Sequence, residues 1–221
     1  MTVHSSGGRT IVHLMRHGEV HNPTGVLYGR LPEFLLSDLG HQMAQAAADA
    51  LAGRDVTYLV ASPLERAQQT AEPTAELFDL PVVTDDRVIE AGNSFEGHTF
   101  GVGAGSLRRP GVWWRLRNPM RPSWGEPYIH IAARMRAAVD DAREAARGHE
   151  AVIVSHQLPV WIARRSYEKR SFAHDPRRRQ CTLASLTSLT FEDDEFVSLE
   201  YSEPAAHLLP AALRGKFVGG A

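Results

Sequence analysis

The stretch "IVHLMRHGEVHNP", residues 11–23, decides how the chain is read. Its first half, "TIVHLM" with Thr10, is apolar and rich in β-branched residues, the pattern of a buried strand. Arg16 and His17 stand at the end of that strand, and Gly18 lets the backbone turn sharply after them. Either a polar loop simply follows a core strand here, or an anion clamp and a nucleophile stand at the mouth of a sheet. The remaining question is whether other strand ends carry the same chemistry.

Working outward, residues 1–9 are Ser/Gly-rich and expected to be disordered, and residues 10–221 to form the folded domain. "LSDLGHQMAQAAADALAG" reads as a helix with Ser37 as its N-cap and Gly53 past its end. "VTYLVAS" is a strand. "PLERAQQTAEPTAELF" follows as a helix capped by Ser62, with Pro63 at the favoured first position and Pro73 expected to kink or split it. "PVVTDDRVIE" holds two short β-like runs. "EPYIHIAARMRAAVDDAREAARG" is a long helix with Ile129, Met135 and Val139 on one face. "EAVIVS" is a strand, "LPVWIARRSY" a short helix, and "CTLASLTSLTF" with "EFVSLEY" a hairpin turning at Asp193 and Asp194. This alternation predicts an α/β fold: a three-layer α/β/α domain with a mostly parallel central sheet and an antiparallel edge.

In open α/β sheets, ligands gather at the carboxyl ends of the strands. Three strands here end in reactive residues: the first in Arg16-His17-Gly18-Glu19, the second in Ser62 with Arg66 one turn later, and the strand at 151–155 in His156. Such a set suits a phosphoryl group. Arginine forks bind its oxygens in pairs, and a helix start adds backbone N–H donors. Histidine can attack phosphorus and hold the group, splitting one displacement into two. The departing alkoxide then needs a proton, for which Glu90, closing "DDRVIE", is the leading candidate.

"LMRHGEV", "LVASPLERAQQTA", "RVIEAGNSFEG" and "AVIVSH" resemble, in order, the motifs of the histidine phosphatase superfamily, also called phosphoglycerate mutase-like. The resemblance runs from about residue 11 to about 190. It implies His17 as a phosphorylated nucleophile, with Arg16, Arg66 and His156 around the phosphate and Glu90 as proton donor. It also implies metal-independent chemistry with no cofactor, and Asn22 as a phosphate ligand a little beyond the RHG motif. The family's acid motif often reads E-x-x-x-G-x-W-E-G. Here "EAGNSFEG" is one residue shorter and has Phe95 for Trp, so Glu90 and Glu96 both stand as candidates for the acid. "GEPY" resembles the family's G-E-S segment with Pro127 in place of serine, and Gln157 follows His156 where glycine is frequent. The function implied is a phosphohydrolase acting on a small phosphorylated metabolite. A phosphoglycerate-type mutase and a phospholigand-binding protein without turnover are the alternatives.

The bulk numbers agree with an enzyme-sized domain. The chain has 221 residues, 43 % hydrophobic, with a net charge of −2 that offers no general attraction to nucleic acid or membranes. One cysteine, Cys181, excludes an internal disulfide framework and a Cys-rich zinc site. "MTVHSSGGRT" lacks the charged start and apolar middle of a signal peptide, and the expected location is the cytoplasm. His13, His17 and His21 recur every four residues, but strand periodicity and Gly18 argue against a helical metal face, with His13 directed into or across the sheet. "GVGAGSLRR" lacks the G-K-[ST] ending of a P-loop. The basic run Arg164, Arg165, Lys169, Arg170, Arg177, Arg178 and Arg179 reads as a solvated face, with some arginines able to reach an anionic substrate. Residues 98–125, with Trp113, Trp114 and Trp124, read as an irregular cap insert that selects the substrate.

Overall fold

The first strand is apolar on both faces because it lies in the middle of the sheet. In the computed structural model, which describes residues 8–92, 96–97 and 125–209, β1 (Arg9–Arg16) pairs in parallel with β4 (Glu150–Ser155) on one side. On its other side it pairs antiparallel with β5 (Leu186–Glu192). β2 (Val56–Ala61) and β3 (Val83–Thr84) extend the parallel half, and β6 (Glu195–Ser202) closes the antiparallel edge. The order is β3-β2-β4-β1-β5-β6, as expected for a mostly parallel sheet with an antiparallel edge.

Period-two alternation sends side chains of β1 and β4 to opposite layers. Val12, Leu14 and Ile153 pack under α3 (Tyr128–Ala145) and α4 (Gln157–Tyr167), with Ile131, Met135, Val160 and Ile162. Met15, Val152 and Val154 face α1 (Asp38–Leu51) and α2 (Glu65–Phe78), with Met43, Leu51 and Ala67. Burying one such large side chain contributes roughly 1.5–3 kcal/mol. The two cores together can therefore offset the polar groups buried at the strand ends, where each isolated charge costs several kcal/mol.

Several expectations are corrected in detail. The first strand starts at Arg9, inside the stretch expected to be disordered. Of the two β-like runs in 81–90, only Val83–Thr84 is a strand, while Asp86–Val88 forms a 3-10 turn capped by the Asp85 side chain. Ser37 caps α1 as expected, accepting from the Gly40 N–H. Ser62 does not cap α2: that helix begins at Glu65 after Leu64, and Pro63 lies before it. Pro73 does not split α2, which runs from Glu65 to Phe78. The buried side of the helix, including Ala67, Thr70, Ala71 and Thr74, supplies packing that outweighs the hydrogen bond proline removes. Ile129 is 62 % exposed, and Ile131 takes its place in the buried stripe Ile131, Met135, Ala138, Val139, Ala142. The expected cap at 98–125 falls, but for Gly125, outside the described residues, as do its three tryptophans.

Candidate active site

β2, β4 and β1 are neighbours in the sheet, so their three loaded ends are side by side. The backbone holds them level: the His17 N–H donates to the Ser155 carbonyl, and the Ser62 N–H to the Val154 carbonyl, each at 3.0 Å. The sequence motifs at Arg16-His17, Ser62 and His156 thus meet at one edge. All four of these side chains, together with Arg66, are buried.

His17 is 2 % exposed, and its Nδ1 lies 2.7 Å from the Gly18 carbonyl oxygen. A carbonyl oxygen can only accept, so Nδ1 carries the proton and Nε2 keeps the lone pair. Burial, then the charges of Arg66 and Arg16, hold the imidazole pKa well below its ordinary 6.5. The ring is therefore neutral at pH 7, with its nucleophilic nitrogen unprotonated.

Around it stand Arg16, Arg66 and His156, each 0 % exposed. Arg16 is oriented by donation from Nη1 to the Cys181 carbonyl at 2.7 Å. Arg66 donates from Nη2 to the Gly29 carbonyl and lies over the Tyr28 ring, 4.7 Å from its centroid. Its Nε and Nη1, and His156 Nδ1, are buried without a hydrogen-bond partner among the described residues. The two unmet Arg66 donors are costly unless an anion meets them, by more than the roughly 1–3 kcal/mol of a neutral group because the guanidinium is charged. His156 is turned by its other nitrogen, Nε2, which lies 2.8 Å from Ser62 Oγ, and its ring centroid is 5.2 Å from that of His17. Burial, with His17 and Arg66 adding to it, keeps His156 well below 6.5 as well. Ser62, expected beside the phosphate, lies within hydrogen-bond distance of His156 and orients its ring.

The two candidate acids sit differently. Glu90 follows the 3-10 turn, and its Oε1 accepts from the Ala91 N–H at 2.8 Å. Burial raises its pKa, opposed by that hydrogen bond and by Arg66, Arg179 and Arg16. Glu96 packs against Gly29: a Cβ placed on Gly29 would fall 2.4 Å from Glu96 Oε1. Both carboxyls bear on Arg66, and of the two Glu90 also feels Arg16 and Arg179 and has its pKa raised by burial. Asn22 makes its hydrogen bonds locally. Its amide spans its own loop, Nδ2 donating to the Val26 carbonyl and Oδ1 accepting from the Val26 N–H. Glu126 braces α3, accepting from Arg134 Nε and Nη2 and from Arg30 Nη2.

Gly18 does not take a left-handed backbone. Its lack of a Cβ serves a close approach: a Cβ there would lie 2.5 Å from the Gly40 carbonyl oxygen, and one on Gly40 only 2.0 Å from that of Glu19. The turn is pinned further by donation from the Gly18 N–H to Thr70 Oγ1 and from Ser37 Oγ to Glu19 Oε2. Tyr28, whose ring meets His17 edge-on at 6.4 Å, carries no signal in the sequence, because it arrives on a loop without periodicity. Of the histidines spaced by four, His13 lies in the sheet between Ser188 Oγ at 2.7 Å and Glu150 Oε2 at 2.9 Å. Cys181 is buried, which pushes its thiol up to about 11 and leaves it a poor nucleophile. Among the described residues, no helix is long and apolar enough to cross a membrane.

The model of the histidine phosphatase superfamily (branch 1) matches residues 12–204. An uncharacterized protein of Mycobacterium tuberculosis, Rv0525, is 59 % identical over 197 residues, covering 89 % of this chain and 98 % of its own. A probable phosphoglycerate mutase, GpmB of Yersinia pestis, is 27 % identical over 211 residues, 90 % of this chain and 96 % of its own. Among solved structures, the mycobacterial glucosyl-3-phosphoglycerate phosphatase Rv2419c with VO3 superposes with a TM-score of 0.69 at 27 % identity, covering 86 % of this chain and 96 % of its own.

Proposed function

The chain belongs to the histidine phosphatase superfamily, and on that premise we propose that it is a phosphohydrolase cleaving a small phosphomonoester through a phosphohistidine. The observation that carries this reading is the neutral, Nδ1-protonated His17 buried among Arg16, Arg66 and His156. The Nε2 lone pair attacks phosphorus, forming a P–N bond as the P–O bond to the alcohol breaks. Arg16, Arg66 and His156 stabilise the charge on the non-bridging oxygens, usually the largest catalytic contribution in phosphoryl transfer. Glu90 gives its proton to the leaving oxygen. As a carboxylate it then takes a proton from water, whose oxygen attacks phosphorus and breaks the P–N bond. Inorganic phosphate leaves and His17 returns to its neutral state.

The glucosyl-3-phosphoglycerate phosphatase likeness supports hydrolysis, and the GpmB likeness supports an isomerase that keeps the phosphoryl group on carbon-bound oxygen. A panel of phosphorylated metabolites, assayed in parallel for phosphate release and for isomer formation, separates the two, with His17→Ala as control. We expect phosphate release equal to alcohol release, lost by at least about a thousandfold in the variant. Isomer formation without phosphate release would establish the mutase, and tight phosphate binding without turnover a binding protein.

A further inference from the structure

Among the described residues, the hydrogen bonds of Arg179 go to neutral partners. Its Nε donates to His174 Nε2 at 2.9 Å, and its Nη1 approaches Gln157 Oε1 at 3.5 Å. His174 can accept there because its own Nδ1 lies 2.7 Å from the Phe172 carbonyl oxygen, which fixes the proton on Nδ1. The His174 ring is set by Tyr128 and Trp161, whose centroids are 5.7 and 5.8 Å away. Burial lowers the His174 pKa, which favours that accepting, neutral form.

Three arginines of the same basic run spend their charge differently, whereas Arg165, like Arg179, donates to neutral groups, the carbonyls of Ser171 and Ala173. Arg177 pairs with Asp175, and Arg164 and Arg170 pair with Glu168. Arg179 makes no ion pair within 4.0 Å among the described residues. Its partner Gln157 directly follows His156, and its charge bears on both Glu90 and Arg16. Gln157, the residue after His156, links the two arginines, since its Nε2 approaches the same Cys181 carbonyl that Arg16 donates to. A guanidinium oriented by an imidazole and an amide keeps its charge for something else.

We infer that Arg179, oriented by His174 and Gln157, binds a second anionic group on the substrate, so that the preferred phosphomonoester also carries a carboxylate or a second phosphate. This rests on the phosphomonoester reading above. Arg16 and Arg66 take the transferring group, and Arg179 takes the distal anion through its planar fork, which lysine cannot reproduce. Arg179 therefore determines specificity and orients the ester without touching the reacting atoms.

Phosphonates test this without turnover, because their C–P bond is not hydrolysed. Dissociation constants are measured for propylphosphonate, 3-phosphonopropionate and propane-1,3-diphosphonate with the wild type, Arg179→Gln, Arg179→Lys and His174→Phe. The wild type should prefer at least one of the doubly anionic probes over propylphosphonate by roughly 10- to 100-fold, the size expected of hydrogen bonds to a charged group. Which of the two it prefers identifies the distal anion. Arg179→Gln should remove the preference, and Arg179→Lys and His174→Phe should reduce it. Equal wild-type affinity for all three probes overturns the inference, as does a variant that weakens all three alike. If no phosphonate binds, the phosphate site itself is wrong, and the proposed function falls with it.

Discussion

A buried imidazole beside two guanidinium groups is stable only when neutral, so His17 enters the reaction as a nucleophile ready at ordinary pH. Glu90 has the opposite requirement, since it must hold a proton until the ester bond breaks. Burial raises its pKa, so as pH climbs through that raised value the acid is lost and turnover of alkyl esters falls. p-Nitrophenolate leaves without a proton, and its ester should lack this alkaline limb. Glu90→Gln should therefore slow an alkyl phosphate by about 100-fold or more, remove its alkaline limb, and affect p-nitrophenyl phosphate far less. Equal losses on both esters would make Glu90 structural, and a selective loss in Glu96→Gln would move the role there. His17, Arg16, Arg66 and His156 were legible in sequence because each sits at a strand end or one turn beyond it. Less legible was the loop closure made by the Asn22 amide with the Val26 backbone, since spacing from the RHG motif carries no signal for it.

At the scale of elements, the turn after His17 is fitted against α1 by two glycines, Gly18 and Gly40. Adding a methyl to Gly18 or Gly40 drives it into backbone oxygen, which has no rotamer with which to retreat. Gly18→Ala and Gly40→Ala should each cost about 1–3 kcal/mol or more and displace His17, so that thermal stability and turnover fall together. Gly53→Ala is the contrast: its left-handed φ of 79° costs about 1–2 kcal/mol, but no atom lies within 4 Å of the new methyl. That variant should melt lower and keep its activity per folded molecule. Intact turnover in Gly18→Ala and Gly40→Ala would mean the apposition does not position the nucleophile. In sequence Gly18 has the pattern of a turn residue, because contact between residues 18 and 40 has no local signature. The same limit explains α2, where Ser62-Pro63 has the pattern of a helix start but Ser62 is held by His156, a residue 94 positions away.

Across the whole molecule, sheet order turns scattered motifs into a site. β4 enters between β1 and β2 after a long excursion through residues 85–149, and its arrival brings His156 between His17 and Ser62. Alternating strands and helices made the fold class readable, and apolar β1 and β4 revealed a buried parallel centre. Their adjacency was not readable from local pattern, since register between distant strands is set by packing of the assembled layers. The central claim is that this convergence makes His17 a covalent carrier of phosphate. Rapid mixing with an ester bearing a labelled phosphoryl group, quenched in alkali and digested, tests it most directly. The account predicts an acid-labile, alkali-stable label on the peptide containing His17, absent from His17→Ala, forming before phosphate is released. A label mapped to another residue, or near-normal turnover in His17→Ala, would contradict it.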